Sequence, residues 1–261
     1  AAVPGKEWAK QVFPEKSEAQ AMESLWEAIF CAVRIQDGDA VQAWREHDAL
    51  LSEKCEILNK YQFTELHYEN EAGTDFRVGL VKNHIWEGGS EESGSGVRFI
   101  ANMPTEEVFT MPDYRKAEGK VVSSRPLSYR GNLIKDFSLT FHEGKVVDFD
   151  AREGYDALKQ LLDTDEGSKS LGEVALVPYA SPISEMGILF YNTLFDENAS
   201  CHLALGECYP TTVQDGEKMN EEELHQIGGN HSINHVDFMI GTKDMKITGI
   251  TEDGKEIPVF I

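Results

Sequence analysis

The sequence predicts an α+β fold: an N-terminal helical hairpin over residues 1–60, then a largely antiparallel mixed sheet domain over residues 61–261. Two observations carry this. Apolar residues recur at helical spacing up to about residue 60 and alternate with polar ones from residue 62 onward. The later strand patterns are joined by short Gly- and Asp-containing turns, which suit hairpins rather than helical crossovers.

The first helix starts after Ser17, with Ala21, Leu25, Ile29 and Ala32 or Val33 on one side. A turn at Asp37-Gly38-Asp39 leads to a second helix whose predicted buried stripe is Val41, Trp44, Leu50, Leu51, Cys55 and Leu58. His47 on that helix reads as solvated or packed, not as a ligand. FTELHYEN and TDFRVGLV form a hairpin around Glu71-Ala72-Gly73. The Gly/Ser-rich stretch from Gly88 to Gly96 contains two glutamates and no lysine, so it reads as a flexible surface loop, not a phosphate loop. Residues 119–150 suggest antiparallel ribbons, Asp156–Asp163 a short amphipathic helix, 216–229 helix plus loop, and the C-terminus a hairpin turning at Asp253-Gly254.

Composition narrows the function classes. Hydrophobic residues make up 41% of the 261, which suits a globular chain, and the net charge is −22 at pH 7. So acidic a chain lacks the basic footprint needed for nucleic acid or an anionic membrane. No apolar run reaches the length of a membrane span. The four cysteines include no CxxC pair and no signal peptide is evident, so a reducing cytoplasm is the expected compartment. The opening residues AAVPGKEW include no initiator Met, so the chain is expected to be processed or part of something longer.

Three stretches hold carboxylates and imidazoles in apolar surroundings, where they need a partner or a metal. FYNTLFDENASCHLALGECYP carries Asp196, Glu197, Cys201, His202, Glu207, Cys208 and Tyr209. TEEVFT carries Glu106 and Glu107; its structural alternative is a short turn N-capped by Thr105, with the glutamates facing its positive end. LGEVALVP places the lone Glu173 among aliphatic residues, and HVDFM sets His235, Asp237 and Met239 on one strand face.

Taken together and in this order, TEEVFT, GEVALVP, TLFDENASCHLALG-x-x-Y and HVDFMIG resemble the M29 family of metallo-aminopeptidases. The resemblance covers essentially the whole chain and implies a site for two divalent metal ions (Zn, Co or Mn) in the sheet domain. Its implied ligands are Glu107, Glu173 as the bridging carboxylate, Glu197, His202, His235 and Asp237. Tyr209 is implied as the stabiliser of the oxyanion, and Glu106 is a weaker candidate for general base. The implied partners are peptide substrates with a free N-terminus, in a homodimer. Family members carry a further N-terminal α/β domain, which this chain is expected to lack. The alternative is therefore a metal-binding but inactive domain serving assembly or binding; an acidic structural protein without metal is the least favoured reading. Asp196 and Glu207 are expected to be structural, and the two cysteines to be packing residues.

Overall fold

A computed structural model describes residues 2–35 and 38–259. Asp37 of the predicted turn, Gln36 before it and the last two residues of the C-terminal hairpin stretch lie outside the described residues. In chain order come α1 (Lys6–Val12), α2 (Glu18–Ala32), α3 (Ala40–Tyr61), β1 (Glu65–Glu69), β2 (Asp75–Leu80), β3 (Ser90–Glu92), β4 (Arg98–Ile100) and β5 (Val108–Thr110). They are followed by β6 (Pro112–Val122), β7 (Leu127–Tyr129), β8 (Asn132–His142), β9 (Lys145–Glu153), α4 (Tyr155–Leu162) and β10 (Leu171–Leu176). The chain continues with α5 (Pro182–Met186), α6 (Thr193–Asp196), β11 (His202–Gly206), α7 (Glu221–Ile227), β12 (His235–Met239), β13 (Lys246–Ile250) and β14 (Glu256–Pro258).

The helices start where side chains can satisfy their free N–H groups. Ser17 and Gln20 form a capping box at α2, and Asp39 accepts from Val41 and Gln42 at α3. The two helices bury into different cores. Leu25, Ala28 and Ile29 of α2 join Ile183, Phe190 and Phe195, whereas Leu51, Cys55 and Leu58 of α3 join the main cluster beneath the sheets. Only part of the predicted α3 stripe is buried: Val41 and Leu50 face solvent, and His47 takes the inward slot between Trp44 and Leu51. Its ring donates from Nε2 to the Thr105 carbonyl at 2.7 Å, which satisfies the buried polar atom.

Among the described residues all strand pairs are antiparallel. The larger sheet has eight strands, in the order β14-β13-β1-β2-β6-β8-β7 with β9 on β8; a second has four, β12-β11-β10-β5; β3 and β4 make a small ribbon. The region from Gly88 to Gly96, predicted to be a loop, thus includes a strand of that ribbon, anchored where Ser90 donates to Asp48 and Arg98 pairs with the same carboxylate. Thr105 caps no helix; it is buried and leads directly into β5. Among the described residues no helix is long and apolar enough to cross a membrane.

Candidate metal centre

The register of the four-stranded sheet builds the site. Glu173 on β10 lies opposite Ala204 on β11, which lies opposite Asp237 on β12. Residues directly opposite in an antiparallel pair share a face. His202 faces Ala175 and Met239, two positions along, and His235 faces Gly206. Ala175 also faces Phe109, and Glu107, two residues earlier, continues the same side. Five predicted ligands therefore project from one face, around a centre kept small by Ala204 and Gly206. The other face carries Val108, Val174, Leu176, Leu203, Leu205 and Phe238, all in the main core. A bulge between Leu171 and Glu173 sets this phase. Gly172 fills it because a Cβ there would lie 2.1 Å from the Glu207 carbonyl.

The candidate ligand atoms converge in two groups that share one residue. Glu107, Glu173 and His202 offer atoms all within 4.8 Å of one another, as do Glu173, His235 and Asp237. His202 Nε2 lies 2.9 Å from Glu107 Oε2 and 3.5 Å from Glu173 Oε1. His235 Nε2 lies 3.4 Å from Asp237 Oδ1 and 3.8 Å from Glu173 Oε2. Both rings are oriented from behind: Nδ1 of His202 donates to the Ser200 carbonyl at 3.1 Å, and Nδ1 of His235 to the Glu207 carbonyl at 2.8 Å. Since a carbonyl can only accept, each Nδ1 holds the proton and each Nε2 is directed into the cluster.

Glu197 stands on a 3-10 turn just before β11, outside those two groups but within the same field. Burial, then the carboxylates of Asp237 and Glu107, push its pKa well above the usual carboxylate range. Burial likewise raises Glu173 to about 7, aided by Asp237 and Glu107. Burial opposes charging His235, but the carboxylates of Asp237 and Glu173 outweigh it and raise the ring to about 9. The same balance, set by Glu107 and Glu173, takes His202 well above its ordinary value. Glu107 Oε2 is buried and, despite its proximity to His202, makes no hydrogen bond. Crowded buried carboxylates, an unsatisfied oxygen and two inward Nε2 atoms fit divalent cations, which neutralise carboxylates and bind neutral imidazole.

Tyr209 follows β11 and leans on the cluster, its ring 4.7 Å from that of His235 and 6.0 Å from Phe109. Burial, then the carboxylates led by Glu173, hold its phenol well above the ordinary value, so it stays protonated. Glu106 stands apart from the converging ligand atoms: both its oxygens are taken by the guanidinium of Arg34, with Nη2 to Oε2 at 2.7 Å. Asp196 accepts from the backbone N–H groups of Phe190 (2.7 Å) and Asn192 (3.0 Å), and Glu207 from that of Ser232 (2.5 Å). Cys201 and Cys208 are buried free thiols, pushed upward by burial.

Sequence reading passed over three contributors. Ala204 could have been noticed, because a small residue in the middle of HLALG leaves room for side chains from both neighbours. Asn198, whose Oδ1 accepts from the Glu106 N–H at 2.7 Å, and Arg34 carry no local signal.

Residues 1–261 match the family of thermophilic metalloproteases M29 in full. The chain is 55% identical to aminopeptidase AmpS of Bacillus subtilis over 97% of its own length, and 52% identical to aminopeptidase 2 of Geobacillus stearothermophilus over 99%. It spans 62% of the length of each of these curated relatives. The structure of wild-type AmpT from Thermus thermophilus superimposes with a TM-score of 0.90 at 42% identity, covering 98% of this chain and 62% of that one. With the whole sequence and the whole fold matched, the chain belongs to the M29 family of thermophilic metalloproteases.

Proposed function

We propose that this chain carries the two-metal centre of an aminopeptidase, which hydrolyses N-terminal residues from peptides. The observation that carries the reading is the placement of Glu173, whose two oxygens face different imidazoles. Glu107, Glu173 and His202 would hold one divalent ion, and Glu173, His235 and Asp237 the other, with Glu197 beside Asp237 completing the set. Four carboxylates and two imidazoles suit borderline ions such as Zn, Co or Mn, and their formal charge offsets two such ions. When bound, the pair supplies polarisation of the scissile carbonyl and activation of the attacking water. Tyr209 donates its O–H where negative charge develops on the carbonyl oxygen. The chain's net charge of −22 favours the approach of the cationic amine of a free N-terminus.

The test is hydrolysis of aminoacyl-p-nitroanilides by the 261-residue chain with added Zn or Co, with and without EDTA, beside elemental analysis. Turnover that chelation abolishes is the expected result. Stoichiometric metal without turnover would replace the enzyme reading with that of a metal-binding domain; no bound metal would overturn both.

A further inference from the structure

Next to the Glu107 ligand sits a second carboxylate, nearly as deeply buried as any in the molecule, that makes none of the site's contacts. Glu106 is 2% exposed, and Arg34 grips both its oxygens. Arg34 comes from just beyond the end of α2, 72 residues away in sequence. Its backbone is in the left-handed region at φ 55°, and its guanidinium lies 5.9 Å over the Trp44 ring. The Trp44 indole N–H in turn donates to the Val33 carbonyl at 2.7 Å, so the arginine's own position is fixed.

The backbone beside Glu106 is held from two further sides. Asn198 Oδ1 accepts its N–H at 2.7 Å, and His47 donates to the carbonyl of Thr105 at 2.7 Å. Behind Glu107, Gly88 packs so closely that a Cβ there would lie 2.5 Å from the Glu107 carbonyl. Residues 105–107 have no helix or strand of their own. Their conformation is thus set by side chains from α2's end, α3 and the turn that carries Glu197. Asn198 is the residue after Glu197, so one contact links two ligand-bearing segments.

We infer that Arg34 is a positioning residue for the metal centre: by fixing Glu106 it sets the direction in which Glu107 enters the Glu107–Glu173–His202 group. The inference rests on the two-metal reading above. It assigns Glu106 a role in geometry and not in proton transfer, because its charge is paired with a guanidinium and the carboxylate stands outside the two groups of converging ligand atoms. In the second group, Glu173–His235–Asp237, the ring of His235 is oriented by the Glu207 carbonyl and not by a member of this clamp.

The experiment is calorimetric titration of the EDTA-stripped, dialysed 261-residue chain with Zn or Co, for the parent and for Arg34→Ala, Arg34→Lys and Glu106→Gln. Folding is checked by near-ultraviolet circular dichroism, and pH profiles of kcat are recorded. The parent should bind two ions. Arg34→Ala should weaken one of them by about 10–100-fold and leave the other unchanged, as expected for loss of a residue orienting a ligand. Arg34→Lys should recover part of that loss, and Glu106→Gln, which keeps an oxygen for Arg34, should lose less than Arg34→Ala and retain the acid limb of the profile. If Arg34→Ala does not fold, Arg34→Lys and Glu106→Gln decide by the same titration. Two ions bound with parental affinity by the folded variants overturns the inference and leaves the two-metal reading standing. Loss of the acid limb in Glu106→Gln with both ions retained overturns it in favour of a general base. No ion bound by the parent overturns the two-metal reading and this inference with it.

Discussion

The two faces of the four-stranded sheet are made from the same short strands, yet they do opposite work. On β11, Leu203 and Leu205 point into a dry core, while His202 and Ala204 point into the ligand cluster. One face gains stability by removing apolar area from water. The other concentrates like charges that burial penalises. The site is thus built at a cost in stability, offset by the sheet's own reverse side, and the alternation of a β-strand keeps the two separable residue by residue.

That separation can be broken or sharpened by substitution. On the proposed two-metal reading the largest effect belongs to Glu173→Gln, which would remove the shared ligand: both ions should be lost in a titration, while the metal-free protein melts no lower than its parent. Leu203→Ala, one position away in the facing strand but on the core side, should cost about 2–5 kcal/mol in chemical denaturation and leave ion stoichiometry intact at temperatures where the protein is folded. If Leu203→Ala abolished ion binding without loss of stability, the division between faces would be wrong. On the proposed function, Tyr209→Phe should keep both ions and lower kcat by about 10²–10³-fold; undiminished turnover would remove the oxyanion role.

The pH dependence bears on the charged face. Burial and neighbouring carboxylates raise Glu173 from 4.5 to about 7, so its protonated form is favoured in the folded state. His235 is raised from 6.5 to about 9, although burial opposes this, by Asp237 and Glu173. Both groups therefore contribute stability that is full below their unfolded values and is lost as pH rises through the folded ones. Metal-free protein should lose stability between about pH 4.5 and 9, and ion loading should reverse that trend because cations compete with the protons. A metal-free melting temperature that climbs across this range would contradict the crowding described here.

The smallest effect belongs to Asp165→Asn. This carboxylate clasps the approach to β12, accepting from Ser168, Ser232 and the Ile233 N–H, and these contacts outweigh burial and lower it from 3.8 to about 2. Loss of the charge should cost about 1–2 kcal/mol. Since the folded pKa is depressed, the parent's advantage is present above pH 3.8 and vanishes as pH falls through about 2, which acid titration of both proteins would show.

What was legible in the sequence followed from period. Strands alternating Glu173 with Val174, or His202 with Leu203, announced which residues share a side, and the turn chemistry at Glu71-Ala72-Gly73 and Asp253-Gly254 announced hairpins that are present. Of the residues the ordered motifs pointed to, the sheet register brings Glu107, Glu173, His202, His235 and Asp237 to one face, while Glu197 stands on the turn before β11. The α3 stripe was only half readable, because a satisfied histidine can occupy an inward slot that an apolar count gives to Leu50. Arg34 was invisible for another reason. Its contact spans 72 residues, and nothing near RIQDG indicates which carboxylate the guanidinium will meet.

In the order β12-β11-β10-β5, both margins of the four-stranded sheet border the ligand cluster: Asp237 and His235 lie on one and Glu107 enters the other. Edge strands are where a sheet ordinarily frays and where foreign strands attach. A cation pair anchored across Glu173 would brace the two margins against each other, so that amide exchange at β5 and β12 slows together when ions are added. The centre would then be a clip that closes the sheet from border to border, with chemistry as only part of its contribution.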